Sequence, residues 1–404
     1  MGRVLKALLA ASSLAAIVAQ EPAISDIELD ETPGVDEVCM AALTSVPFVR
    51  HLRQQASIAP HKPHIDVAAK CVRKMQKSGD GGESELDQQL APGVRVFKVP
   101  PALTGFPAWR RNKDYVYSQA DLRRGFADWV VPDGATHLTP RILYCHGGGY
   151  EWYSPQDVYR PATTRIAKAT GMPVLAFDYR LSPEFKYPAQ LDDAVQAFEW
   201  IARNGPDGPS DASAIFIMGD SAGGGLALAL ALQLRDSPVH GAVVAGVSVV
   251  SPETDLTCSG ESYRTRRWVK GGGPECDPVF NGPDPAAASM PAIYRLLGAP
   301  NTNGAVPPSK SRLSPLHSEL HGLPPTQIHV GNAEVMLSDS VDFAAKAKRA
   351  GSPVEVTVWP RMWHTFTQFS EGCGGPEPLQ EALDALQQQG DFIRGIASRL
   401  SVTV

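Results

Sequence analysis

The sequence has no unbroken apolar run of about 18 residues or more, the length that marks a membrane-spanning helix. It has no block of lysine and arginine either. Its 37 basic and 43 acidic residues are intermixed and leave a net charge of −6, which disfavours a nucleic-acid partner. Only six cysteines occur, at 39, 71, 145, 258, 276 and 373, and none forms a C-x-x-C pair. That excludes the usual zinc and dithiol spacings. Cys258 and Cys276 are the first pair to consider for a disulfide, and Cys145, inside an apolar run, reads as a small buried hydrophobe. There is no N-x-[ST] acceptor to mark a secreted surface, and no internal repeat.

What is present is apolar content of 43% in 404 residues, enough for one large core or two smaller ones. Arg3 and Lys6 precede an apolar stretch over 7–19. This reads as a secretory or organelle-targeting segment within residues 1–20, or alternatively as a short Ala-rich helix of a cytoplasmic protein. Residues 21–92 read as an acidic leader followed by helices, and 93–404 as the main domain. Within that domain short strands are expected at 93–99 and 125–131. Strands at 141–145, 173–178, 214–218, 243–250, 326–330 and 354–359 then alternate with helices at 162–170, 191–203, 340–350 and the C-terminus. Such alternation implies a mostly parallel central sheet with helices on both faces. A Gly/Pro/Ser-rich insertion over about 253–313 interrupts it, with helical character only at 291–297. Together with the helices before residue 93 this insertion is expected to cap the site.

Two glycine-flanked motifs carry the chemistry. His146-Gly147-Gly148-Gly149 follows the run 142–145, and Gly219-Asp220-Ser221-Ala222-Gly223-Gly224 follows 214–218 and precedes an Ala/Leu-rich helix. A serine between glycines at a strand-to-helix turn presents its hydroxyl as a nucleophile. The run Gly147, Gly148, Gly149 offers backbone N–H groups for an oxyanion. A serine needs a base, and the base an orienting carboxylate. Of the downstream histidines, His329 lies inside a strand, His240 precedes the strand after the nucleophile helix, and His317 and His321 sit in an earlier loop. Only His364 occupies a loop after the last strand. The carboxylate belongs just past strand 326–330, where Glu334 is the nearer candidate and Asp339, at a helix start, the second.

These motifs, with Asp178-Tyr179-Arg180-Leu181-Ser182-Pro183-Glu184, Tyr187-Pro188-Ala189 and Asp192, the segment 251–257 (SPETDLT), Ser314-Pro315-Leu316 and Trp363-His364, resemble the hormone-sensitive-lipase-like carboxylesterases of the α/β-hydrolase superfamily. The resemblance covers about 141–369. It implies the α/β-hydrolase fold with a helical N-terminal cap, and ester hydrolysis through an acyl-enzyme without metal or organic cofactor. It implies Ser221 as nucleophile, His364 as base, and N–H groups of Gly148, Gly149 and Ala222 as the oxyanion hole, with His146 and Asp178 structural. The chain departs from the family in two places. Ala333 stands where many relatives carry an aspartate just before the position of Glu334, and Glu253 stands where the family commonly has an aromatic residue.

Three other readings stand beside this one. An amide or formamide hydrolase would use the same triad. A small-ligand receptor of the same fold would be expected to lack the histidine. A chymotrypsin-like protease would place histidine and aspartate before the serine, contrary to the order here.

Overall fold

Alternate residues of strand β3 (Arg141–Cys145) enter two different cores in the computed structural model. Leu143 and Cys145 join one, and Ile142 and Tyr144 join the other. Successive side chains of a strand point to opposite faces, so this sheet is covered on both sides. The structure describes residues 91–99, 127–239, 242–266, 277, 279–280, 285–370 and 379–401, all within one unit, Gly34–Val404. The expected targeting segment, leader and N-terminal cap helices lie outside the described residues, as do His240 and Cys276.

Eight strands form one sheet. They are β1 (Val94–Lys98), β2 (Ala127–Pro132), β3, β4 (Val174–Phe177), β5 (Ile215–Asp220), β6 (Val244–Val250), β7 (Thr326–Gly331) and β8 (Val354–Trp359). Their order is β1-β2-β4-β3-β5-β6-β7-β8. Strand β2 runs antiparallel to β1 and β4, and every later neighbour is parallel. The expected α/β-hydrolase architecture is therefore present in the described residues.

The helices are α1 (Arg160–Thr170), α2 (Ala189–Arg203), α3 (Ser221–Asp236), α4 (Ser262–Thr265), α5 (Pro285–Leu297), α6 (Leu337–Arg349) and α7 (Gln380–Ser401). Residues of α2, α3 and α6 fill the core on one face, and Ile166 of α1 with Ile393 and Ile396 of α7 fill the other. Helix α3 is enclosed almost all round, which is why its sequence shows no polar stripe.

Most predicted bounds shift by one to three residues, but α5 begins six residues earlier than its predicted start at 291. Pro291 lies inside this helix, and a proline reads as a helix start or break because it lacks the N–H and clashes one turn back. The insertion therefore contains a longer helix than its composition indicates. Tyr187 N–H donates to Leu296 O at 2.9 Å, and Arg295 pairs with Glu151 at 2.6 and 2.8 Å. These contacts dock α5 beside the loop that follows the glycine run.

Candidate active site

The turn between β5 and α3 places a serine where its backbone is unfavourable for any side chain. Ser221 has φ 54°, a left-handed conformation that is uncommon outside glycine and clusters at functional sites. The preceding Asp220 is extended and starts the helix. Two residues beyond the serine the chain passes close to β3. A Cβ on Gly223 would lie 2.2 Å from the carbonyl oxygen of Cys145 and 2.3 Å from that of His146. Only glycine allows that approach, and the approach brings the serine turn against the glycine loop.

His364 completes the arrangement. Its Nε2 lies 2.8 Å from Ser221 Oγ, and its Nδ1 lies 2.8 Å from Glu334 Oε2. All three side chains are buried. The other Glu334 oxygen, Oε1, accepts the Gly331 N–H at 2.6 Å and the Ser251 hydroxyl at 2.9 Å. Ser251 Oγ in turn accepts the Thr365 N–H at 3.0 Å. One hydroxyl thus ties the carboxylate to the residue beside the histidine. Burial by itself lowers the pKa of His364, but the hydrogen bond and charge of Glu334, with the charges of Asp277 and Asp220, give a net rise.

Asp339, the second acid candidate, sits elsewhere. Its Oδ2 accepts the N–H groups of Thr254 and Asp255, both at 2.8 Å. It holds the loop after β6 rather than the imidazole, and burial, with the charge of Asp255, raises its pKa well above the carboxylate range. Three other downstream histidines are also placed. His329 Nδ1 accepts from Trp359 Nε1 at 3.0 Å inside the sheet, and burial lowers its pKa to about 4. His317 Nε2 meets Asp255 at 2.8 Å. His321 is exposed.

The glycine loop requires one correction to the candidate oxyanion set. Gly147 N–H donates to Tyr159 Oη at 2.9 Å, so this amide is already occupied. The N–H groups of Gly148, Gly149 and Ala222 have no hydrogen-bond acceptor among the described residues. Gly148 has φ 111°, and a Cβ there would lie 2.2 Å from Trp152 O. His146 supports the loop from behind. Its ring stacks on Tyr179 at 4.2 Å, and Tyr179 Oη donates to its carbonyl at 2.7 Å.

Several contacts at the site go beyond what the sequence motifs show. Asp220 is buried and accepts from Tyr144 Oη at 2.5 Å, Tyr159 Oη at 3.1 Å and Gln368 Nε2 at 2.7 Å. Burial outweighs these bonds and pushes its carboxyl up to about 6. Phe280 meets the His364 ring edge-on at 4.8 Å. Asp277 brings a second carboxylate near the histidine, and donor atoms of Asp277, Glu334 and His364 all lie within 4.8 Å of one another. One imidazole and two carboxylates are a donor set that a divalent cation accepts. Here the four carboxylate oxygens already face N–H or O–H groups, the arrangement of an oriented base. Cys145 and Cys258 are buried and form no disulfide among the described residues, and Cys276, the expected partner of Cys258, lies outside them.

Of the paired aspartates after Pro188, the buried one is Asp193, not the Asp192 of the sequence motif. Asp193 accepts from Arg180 Nη2 at 2.6 Å, from Nε at 2.9 Å and from the Arg180 backbone N–H at 2.8 Å. This pair fixes the turn after β4, behind the glycine loop.

Comparison with known proteins agrees with the fold. A family model described as alpha/beta hydrolase fold matches residues 142–368. An acetyl-hydrolase of Streptomyces hygroscopicus is 34% identical over 274 residues, covering 66% of this chain and 79% of that protein. The carboxylesterase/phospholipase LipF of Mycobacterium tuberculosis is 32% identical over 310 residues, covering 73% of each chain. A solved esterase of the bacterial hormone-sensitive lipase family superposes with a TM-score of 0.61 at 27% identity, covering 91% of this chain and 99% of its own. The order of the serine, carboxylate and histidine along the sheet and the matches over most of the chain give one answer: this protein belongs to the hormone-sensitive-lipase-like carboxylesterases of the α/β-hydrolase fold.

Proposed function

We propose that the chain hydrolyses carboxylic esters of small molecules, with Ser221 as nucleophile, His364 as general base and Glu334 as its orienting acid. The observation that carries this reading is the pair of 2.8 Å contacts from the two ring nitrogens of His364, one to Ser221 and one to Glu334. With Glu334 accepting from Nδ1–H, the neutral imidazole leaves Nε2 free to accept the serine proton. As Ser221 Oγ attacks the ester carbonyl, its proton passes to Nε2 and Glu334 stabilises the imidazolium. The carbonyl oxygen gains negative charge and is held by N–H groups of Gly148, Gly149 and Ala222, each worth ~3 kcal/mol in the transition state. His364 then protonates the departing alcohol. Water repeats the sequence on the acyl-Ser221 ester and releases the acid.

The acyl group is read as short to medium in length. The short end is supported by the 34% identical relative named acetyl-hydrolase. The test is a series of p-nitrophenyl esters from acetate to dodecanoate assayed with the parent chain and with Ser221→Ala. The parent should turn over the shorter esters, and Ser221→Ala should reduce kcat to the uncatalysed background. Undiminished turnover by Ser221→Ala would remove the nucleophile from this reading.

A further inference from the structure

The insertion after β6 delivers a carboxylate to the face of the candidate base. Asp277 is completely buried, and its oxygens are fixed in two directions. Oδ1 accepts the N–H of Val279 at 2.9 Å, within its own turn. Oδ2 accepts the N–H of Val335 at 3.1 Å, on the residue directly after Glu334. Asp277 therefore grips the loop that carries the orienting acid, and it lies within 4.8 Å of both Glu334 and His364. Phe280, three residues on, covers the edge of the imidazole ring. Burial of this kind is costly for a carboxylate unless a positive charge or donors compensate. The two N–H donors supply part of that compensation, and an imidazolium at position 364 would supply the rest.

We propose that Asp277 is a second carboxylate of the active site, a positioning residue that holds the Glu334 loop in register and adds its charge to that of Glu334 when His364 becomes positive. The proposal rests on the reading of Ser221, His364 and Glu334 as the triad. Asp277 exchanges no proton with substrate. The serine proton resides on His364 Nε2, Nδ1–H stays bonded to Glu334, and the charge of Asp277 joins that of Glu334 beside the cation. Its effect is therefore on the basicity of the imidazole and on the rate of the chemical step. It does not act on substrate binding.

The carboxylates that face His364 come from four separate elements. Glu334 follows β7, Asp277 belongs to the insertion, Asp220 ends β5, and Glu253 follows β6. Burial raises the Asp277 carboxyl, the charge of His364 lowers it and that of Glu334 raises it, and the net value is about 6. Groups this close titrate as a set, and the acid limb of a pH profile belongs to the cluster. Removing the charge at 277 makes His364 easier to deprotonate. The limb then moves to lower pH while the plateau rate falls.

The test compares the parent with Asp277→Asn and Asp277→Ser, measuring kcat and KM for p-nitrophenyl butyrate from pH 5 to 9. For both variants the acid limb of kcat/KM should shift down by about one pH unit, with kcat reduced roughly tenfold and KM nearly unchanged. An acid limb at the parent position in a folded variant overturns the proposal. So does an effect confined to KM, or failure of both variants to fold, since each outcome reduces Asp277 to a scaffold residue. Labelling of Ser221 by a fluorophosphonate in the parent, and its loss in His364→Ala, checks the triad separately. If that labelling is absent, the fault lies with the triad reading and not with Asp277 alone.

Discussion

Tyr159 donates its hydroxyl hydrogen to Asp220 Oδ2 at 3.1 Å while its oxygen accepts the Gly147 N–H at 2.9 Å. One phenol therefore joins the glycine loop to the residue before Ser221. Tyr159→Phe leaves a buried amide and a buried carboxylate each short of a partner, which costs about 1–3 kcal/mol per group. The variant should show a lower Tm. It should also show a loss in kcat that exceeds any change in KM, because the loop it frees carries the Gly148 and Gly149 amides. Parallel thermal denaturation and ester kinetics check both effects.

Glu334 and Asp339 give opposite expectations for the same chemical change. Glu334→Gln removes the charge that stabilises the imidazolium and should lower kcat by roughly a thousandfold or more. In Asp339→Asn the amide oxygen replaces the one carboxyl oxygen that accepts the Thr254 and Asp255 N–H groups. That variant should keep most of its activity and lose less than about 1 kcal/mol of stability. A crippled Asp339→Asn beside an active Glu334→Gln would reverse the assignment.

The pH dependence follows from the sign of the shift at His364. Catalysis needs the neutral imidazole, and the site raises its pKa. The kcat/KM profile should therefore rise with pH through a midpoint above the ordinary histidine value of about 6.5. Initial rates across buffers of constant ionic strength give the midpoint. A value well below 6 is incompatible with the carboxylates that surround the ring.

Glu253 follows β6 beside the site, where the family commonly has an aromatic residue. Its backbone N–H donates to Ser221 O at 3.0 Å, and burial raises its carboxyl from an ordinary 4.5 to about 7. A carboxyl raised on folding is neutral in both states at low pH. As pH rises past 4.5 the unfolded chain ionises first, so stability is lost until about 7 and the full penalty applies above it. That rise corresponds to roughly 3 kcal/mol. Glu253→Gln should raise Tm relative to the parent at pH 8 and match it near pH 4.5. An equal difference at both pH values would mean that ionisation of Glu253 is not the cause.

Strands and the serine turn were legible because their signals are local. A continuous apolar run such as 215–218 marks a strand covered on both faces, and Gly219-Asp220-Ser221-Ala222-Gly223 encodes its own turn. The placing of His364 and Glu334 relied on chain order and strand ends, which a parallel sheet preserves. Asp277 was not legible, because no spacing ties residue 277 to residue 335. The burial of Asp193 beside the motif's Asp192 was not legible, because helix facing turns by about 100° per residue and the bounds of α2 were not known that closely. Tyr159 was missed for a related reason. Its role depends on the wide turn over Pro155–Tyr159 before α1, which has no residue signature. Gly147 was included in the amide set because adjacent glycines look alike until a hydroxyl is seen against one of them.

At Gly223 the carbonyl oxygens of Cys145 and His146 occupy the space that a methyl group would need. The gauge between hydroxyl and amides is consequently set at this point by main chain pressed against main chain, beside the bridge that Tyr159 makes. Surface substitutions, or a remodelled insertion, leave that gauge untouched. The substrate-facing walls are thus free to diverge between relatives while the reacting atoms keep their separation.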